Sequence, residues 1–250
     1  MFERKKFDNA WEGKIEPFKI VGDVYFVGSF LASTHIIDTG DGIVLIDPGY
    51  METLHLVIDS IYKLGFKPSE IKYIINTHWH GDHTGGTKAL ANLCGAKTLI
   101  GKNDAKKAEQ FFKAEISIKD GDALELGKTK IEFLETPGHT KGTISFFFET
   151  EENNKIYRVG MFGGAGANTL KQNCFDYIGC RDDYINSVHR LLGEKVDVFI
   201  GNHVWNNNTE EYGKILRKTS ENKFIDNNLW TNFLQFCESR VKLIVEQENN

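Results

Sequence analysis

The chain has 250 residues, a formal net charge of -5, 40% apolar and 12% aromatic residues, enough for one large layered domain or two small ones. Acidic and basic residues are interspersed, which excludes the basic stripe that tracks a phosphate backbone and argues against a nucleic-acid partner. No apolar run reaches the length of a membrane span, Phe7, Asp8, Asn9 and Trp11 interrupt any apolar leader core, and the expectation is a soluble, cytoplasmic protein.

Short β-rich runs come first, Phe18 to Val21, Val24 to Val27, Leu31 to Asp38 and Ile43 to Ile46, separated by Gly22-Asp23 and Gly40-Asp41-Gly42 turns. Helical spacing of Leu54, Val57, Ile58, Ile61 and Leu64 predicts a helix over Met51 to Leu64, stopped by Gly65. A strand Lys72 to Asn76, a histidine-rich loop, a helix from about Thr84 to Cys94, a strand Lys97 to Ile100 and a helix from about Asp104 to Phe112 follow. The second half repeats the theme with strands Ala123 to Leu126, Lys130 to Glu135, Thr143 to Phe148 and Ile156 to Met161, a helix from about Asp182 to Leu192 and a strand Val196 to Ile200. Helices over about 209 to 247 close the chain, the last with Leu229, Phe233, Phe236, Val241 and Ile244 on one face. No linker or repeat divides it, so a single domain over 1 to 250 is expected, with two sheets face to face and helices outside.

The loop carries the chemistry. His78, His80, Asp82 and His83 lie within six residues where a strand gives way to a helix, a density of imidazole and carboxylate that a bound cation compensates. Residues at i and i+2 of an extended segment project to one side, so His78 and His80 suit one ion while Asp82 and His83 aim elsewhere, which suggests two adjacent metal sites. A polar turn with solvated histidines is the bland alternative. Two further histidines stand just past strand ends, His139 in Pro137-Gly138-His139-Thr140 and His203 in Gly201-Asn202-His203. His35, His55 and His189 fall inside strand or helix patterns and read as structural or surface residues. The four cysteines Cys94, Cys174, Cys180 and Cys237 fall at no paired metal or redox spacing and read as free thiols. Asp47, at a strand end, is either a turn residue or a group holding a ligand imidazole in one tautomer. Trp79, Tyr50, Phe162 and the segment around Trp205 are possible pocket walls, with core packing the commoner role of such rings.

His78 to His83 and Pro137 to Thr140 resemble the H-x-H-x-D-H and P-G-H-T elements of the metallo-β-lactamase superfamily, and Leu45-Ile46-Asp47-Pro48-Gly49 resembles its first strand end. The resemblance runs from about residue 18 to 205 and implies a four-layer αβ/βα sandwich. Where most superfamily hydrolases carry a bridging aspartate, this chain reads Gly160-Met161-Phe162-Gly163-Gly164. The third subclass of metallo-β-lactamases also lacks that bridge, and likeness to it implies His78, His80 and His139 on one zinc and Asp82, His83 and His203 on the other. Cys174 or Asp176 is a less favoured substitute for His203. The same likeness implies a hydrolase in which water activated between two zinc ions attacks a carbonyl, with Asp82 both ligand and orienter of the nucleophile. A cyclic amide is the favoured substrate; a lactone, thioester or phosphoester is the alternative, and a noncatalytic metal sensor the third possibility. Zinc is favoured over iron or manganese, since diiron relatives carry a glutamate where His80 stands.

Overall fold

Burial on both faces explains the apolar runs of the first sheet, Ile43–Ile46 being buried throughout. In the computed structural model, which describes residues 7–249, β1 (Phe18–Val21), β2 (Val24–Phe26), β3 (His35–Asp38), β4 (Ile43–Ile46), β5 (Ile71–Asn76), β6 (Lys97–Gly101) and β7 (Ile116–Ile118) lie side by side in that order. The meander up to β4 is antiparallel; β4 through β7 are parallel, as crossovers through helices require. The second sheet has the order β12 (Val198–Phe199), β11 (Lys155–Met161), β10 (Ile144–Glu152), β9 (Thr129–Glu135) and β8 (Ala123–Leu126), antiparallel except for the β11/β12 pair.

One shared core joins the two sheets: Phe26, Ile37, Val44, Ile46, Ile75 and Leu99 of the first meet Ile131, Phe133, Ile144, Phe146, Met161 and Val198 of the second. On the outer face of the first sheet, α1 (Leu54–Lys63) presents Leu54, Val57 and Ile61, and Leu90 comes from α3 (Thr87–Cys94), which follows the single turn α2 (Gly81–Thr84). On the outer face of the second, α5 (Cys180–Leu191) and α7 (Asn227–Asn249) cover Phe147 and Phe199; α4 (Ala105–Ala108) and α6 (Thr209–Thr219) complete the helices. The result is a mixed α/β sandwich with helices on both outsides, as expected. Among the described residues no helix is long and apolar enough to cross a membrane.

Several boundaries differ from expectation, each for a local reason. The strand expected from Leu31 starts only at His35, because a turn closes from Ser29 N to Ala32 O at 3.0 Å. The helix expected over Thr84 to Cys94 is interrupted: Gly86 N bonds Gly49 O at 2.9 Å, which pulls the chain off the helical ladder. Asp104 to Phe112 holds only the short α4, and its exit tightens with Phe111 N bonding Ala108 O at 2.8 Å. In α7 the buried stripe is Trp230, Leu234, Cys237, Val241 and Ile244, and Phe236 is 55% exposed. Trp230 sets that rotation, packing edge-on to Phe147 and Phe199 and donating Nε1–H to Leu191 O at 3.0 Å. The strand β7, flanked by charges and half exposed, has no counterpart in the pattern reading.

Candidate metal centre

Five strand ends meet at one edge of the sandwich: β4 leads into Asp47, β5 into Thr77 and the histidine loop, β9 into His139, β11 into Gly163, and β12 into Asn202 and His203. Carboxyl ends of strands are where α/β folds gather ligands, and each of the six expected donors is brought there.

The donor atoms of His78, His80 and His139 all lie within 4.8 Å of one another, and so do those of His78, Asp82 and His83. The two groups therefore adjoin. His203 lies beside the second group: its Nε2 is 3.6 Å from Asp82 Oδ2, His83 Nε2 is 3.4 Å from the same oxygen, and the His83 and His203 rings stand 4.9 Å apart. Trp205 stacks on His203 with centroids 4.3 Å apart and planes 10° from parallel, fixing that ring.

Hydrogen bonds to groups that only accept fix the tautomers. His78 Nδ1–H donates to Gly163 O at 2.9 Å and His139 Nδ1–H to Gly166 O at 2.6 Å. Both Nε2 atoms are then lone-pair acceptors, yet they face each other at 3.2 Å. His80 Nδ1 lies 3.0 Å from His139 Nε2 and can donate to it as an N–H, which leaves the His78 Nε2 lone pair facing them without a donor. Protonation does not relieve the contact, since burial drives the His78 pKa well below its ordinary value, His139 down to about 3 and His80 down to about 4. A cation at the convergence supplies the missing partner, so the donor set fits a metal ion.

The second side is charged. Burial works against ionisation of Asp82, but His83, His203 and His80 hold its carboxyl well below the usual range. Burial also disfavours the His83 imidazolium, and Asp82 and Asp47 outweigh it, raising the pKa to about 10. His83 Nε2 is buried without a hydrogen-bond partner, while Nδ1–H donates to Asp47 Oδ2 at 2.8 Å. Asp47 also accepts from Thr77 N at 2.8 Å and Thr77 Oγ1 at 2.7 Å, and holds a left-handed backbone with φ 50° to do so. Of its two expected roles, the imidazole-holding one is what its side chain does.

Gly163 has no room for a side chain: a Cβ there would stand 2.0 Å from Ile144 O and 2.8 Å from Thr77 Cβ, and its carbonyl accepts from both His78 and Asn202 Nδ2. Cys174 is exposed, Asp176 is ion-paired with Lys107, and neither belongs to the gathered donor groups. Of the other histidines, His55 is exposed, His189 lies 3.6 Å from Glu238, and His35 is fully buried. Trp79 packs against His80, and Phe162 is buried among core side chains. Sequence reasoning passed over Thr77, Asn202 and Asp104; Thr77, next to His78, and Asn202, next to His203, carried a positional signal, and Asp104 carried none.

Among known proteins, the mouse persulfide dioxygenase ETHE1 is 31% identical over 160 residues, 64% of this chain, which spans 55% of that enzyme's length. The hydroxyacylglutathione hydrolase of Prochlorococcus marinus is 27% identical over 220 residues, covering 83% of this chain and 82% of the enzyme. The crystal structure of BJP-1, a subclass B3 metallo-beta-lactamase of Bradyrhizobium japonicum, superposes with a TM-score of 0.88 at 26% identity, over 96% of this chain and 97% of that one. A sequence profile of the metallo-beta-lactamase superfamily matches residues 27–152.

Proposed function

The chain belongs to the metallo-β-lactamase superfamily, and on that premise we propose that it is a zinc-dependent hydrolase of a small molecule, with one ion on His78, His80 and His139 and a second on Asp82, His83 and His203. The observation that carries the reading is the pair of lone pairs, His78 Nε2 and His139 Nε2, held 3.2 Å apart. Such a contact is repulsive between two neutral imidazoles, and a shared cation relieves it. Five imidazoles and one carboxylate suit zinc, and iron is the competitor that cellular availability favours or disfavours.

Bound metal supplies a water of lowered pKa and polarises the carbonyl under attack. The chain does the rest. Asp82, kept ionised by its imidazole neighbours, accepts a hydrogen bond from the nucleophile and aims it. Asp47 keeps His83 in the tautomer that presents Nε2 to the site. Trp205 holds His203 against rotation.

A cyclic amide of the β-lactam kind is the favoured substrate, supported by the likeness to BJP-1 over nearly the whole of both chains. Thioester hydrolysis is the second reading, supported by the likeness to a hydroxyacylglutathione hydrolase. Zinc-loaded protein assayed against β-lactams, lactones, thioesters and bis-p-nitrophenyl phosphate separates them. Ring opening of the β-lactam is expected. Turnover of the thioester alone moves the assignment to the second reading, and turnover of the phosphodiester alone contradicts both. Oxygen consumption with a persulfide and iron-loaded protein would instead align the chain with the dioxygenase relative.

A further inference from the structure

Asp104 lies outside every motif discussed above, yet it is 0% exposed and accepts three hydrogen bonds. Oδ2 takes Trp79 N–H at 3.0 Å and Thr140 Oγ1–H at 2.6 Å; Oδ1 takes Gly142 N–H at 2.7 Å. Trp79 is the residue between His78 and His80, Thr140 follows His139 directly, and Gly142 stands three residues after it. One carboxylate therefore clasps the two loops that carry the three-histidine group. None of its three bonds goes to the Asp82–His83 turn or to the His203 segment.

The close approach is built into the backbone. A Cβ on Gly142 would stand 2.2 Å from Asp104 N, so only glycine lets this turn lie against the start of α4. Thr140 Oγ1 is held from its other side by Thr143 Oγ1 at 2.8 Å, which leaves the hydroxyl proton directed at the carboxylate.

We propose that Asp104 is the positioning residue of the three-histidine group, fixing the spacing of His78 and His80 against His139, and that it has no part in holding the Asp82, His83 and His203 group. The inference rests on the two-metal reading above. A buried carboxylate with three fitted donors resists displacement, because removing it strands two main-chain N–H groups away from water. Losing such a support weakens the metal it positions by about 10-fold to 100-fold.

The test is a zinc titration of metal-free protein against a chromophoric chelator, in wild type, Asp104→Ala, Thr140→Val, His139→Ala and the Asp104→Ala/His139→Ala double variant, with far-UV circular dichroism on each. Asp104→Ala is expected to lose about 10-fold to 100-fold in affinity for one equivalent and less than about threefold for the other. Thr140→Val, which removes one of the three bonds and leaves the carboxylate in place, loses less on the same equivalent. In the His139→Ala background, where the affected group is already broken, Asp104→Ala changes nothing further. Equal weakening of both equivalents, or no weakening, overturns the proposal while leaving the two-metal reading intact. If Asp104→Ala does not fold, Thr140→Val decides alone, and an unselective effect there overturns it. Failure of wild type to bind zinc overturns the functional reading and this inference together.

Discussion

The two proposed donor groups share an edge of the sandwich but are built on opposite electrostatic plans. His78, His80 and His139 are uncharged, and main-chain carbonyls at Gly163 and Gly166 orient two of them. Asp82, His83 and His203 contain a carboxylate, and a second carboxylate, Asp47, stands behind His83. The first group offers an ion only lone pairs; the second offers charge as well. Burial of His78, His139 and His83 makes both plans costly without an ion, the first through facing lone pairs and the second through a proton held by His83 between two carboxylates. A divalent cation relieves both.

Breaking the comparison from the uncharged side has the largest expected effect. His139→Ala should leave about one zinc per chain and cost several kcal/mol of transition-state stabilisation, about a thousandfold in kcat/KM. His203→Ala should remove the other ion in preference. Elemental analysis after dialysis distinguishes the two, and equal loss of both ions from either variant would show that the groups are not separable.

A smaller effect should come from the charged side. Asp47→Asn leaves the shape and removes the charge that fixes His83, so metal affinity should fall by about 10-fold to 100-fold at the second group, with the first little changed. Competition titration of the variant measures both affinities. A fall confined to the first group would reverse the assignment of Asp47.

His35 sharpens the contrast, because it is an imidazole of the same molecule with no such partners. It faces Phe26 and neither ring nitrogen has a hydrogen-bond partner among the described residues. Burial pushes its pKa from 6.5 down to about 3. For a group whose folded pKa is depressed, the unfolded chain binds the extra proton, so stability is complete above pH 6.5 and is lost on acidification toward pH 3. Between pH 7.5 and pH 5 the wild type should therefore lose about 2 kcal/mol more stability than His35→Leu does. Urea melts at the two pH values check this, and identical slopes for the two proteins would mean that His35 is hydrated.

What the residues alone revealed follows from this difference between side-chain and main-chain work. Metal chemistry demands particular side chains at fixed spacing, so His78 to His83 were legible, and strand ends marked by Pro137-Gly138 and Gly201-Asn202 made His139 and His203 legible too. Two sheets with helices outside followed from turn-bounded apolar runs such as Ile43–Ile46 and the period of amphipathic α1, and the resemblance supplied the four-layer order. The supports did not. Carbonyls of Gly163 and Gly166 have no side-chain signature, and Asp104 has the look of an ordinary residue at a helix start. The register of α7 was missed because Phe236 matches the helical period as well as Leu234 and Cys237 do; only the seat of Trp230 on Phe147 and Phe199 settles which face turns inward.

The most direct test of the two-metal centre is equilibrium dialysis of metal-free wild type against zinc, read as ions bound per chain. About two per chain at saturation, falling to about one in His139→Ala, is the predicted result. Less than one per chain in the wild type would contradict it.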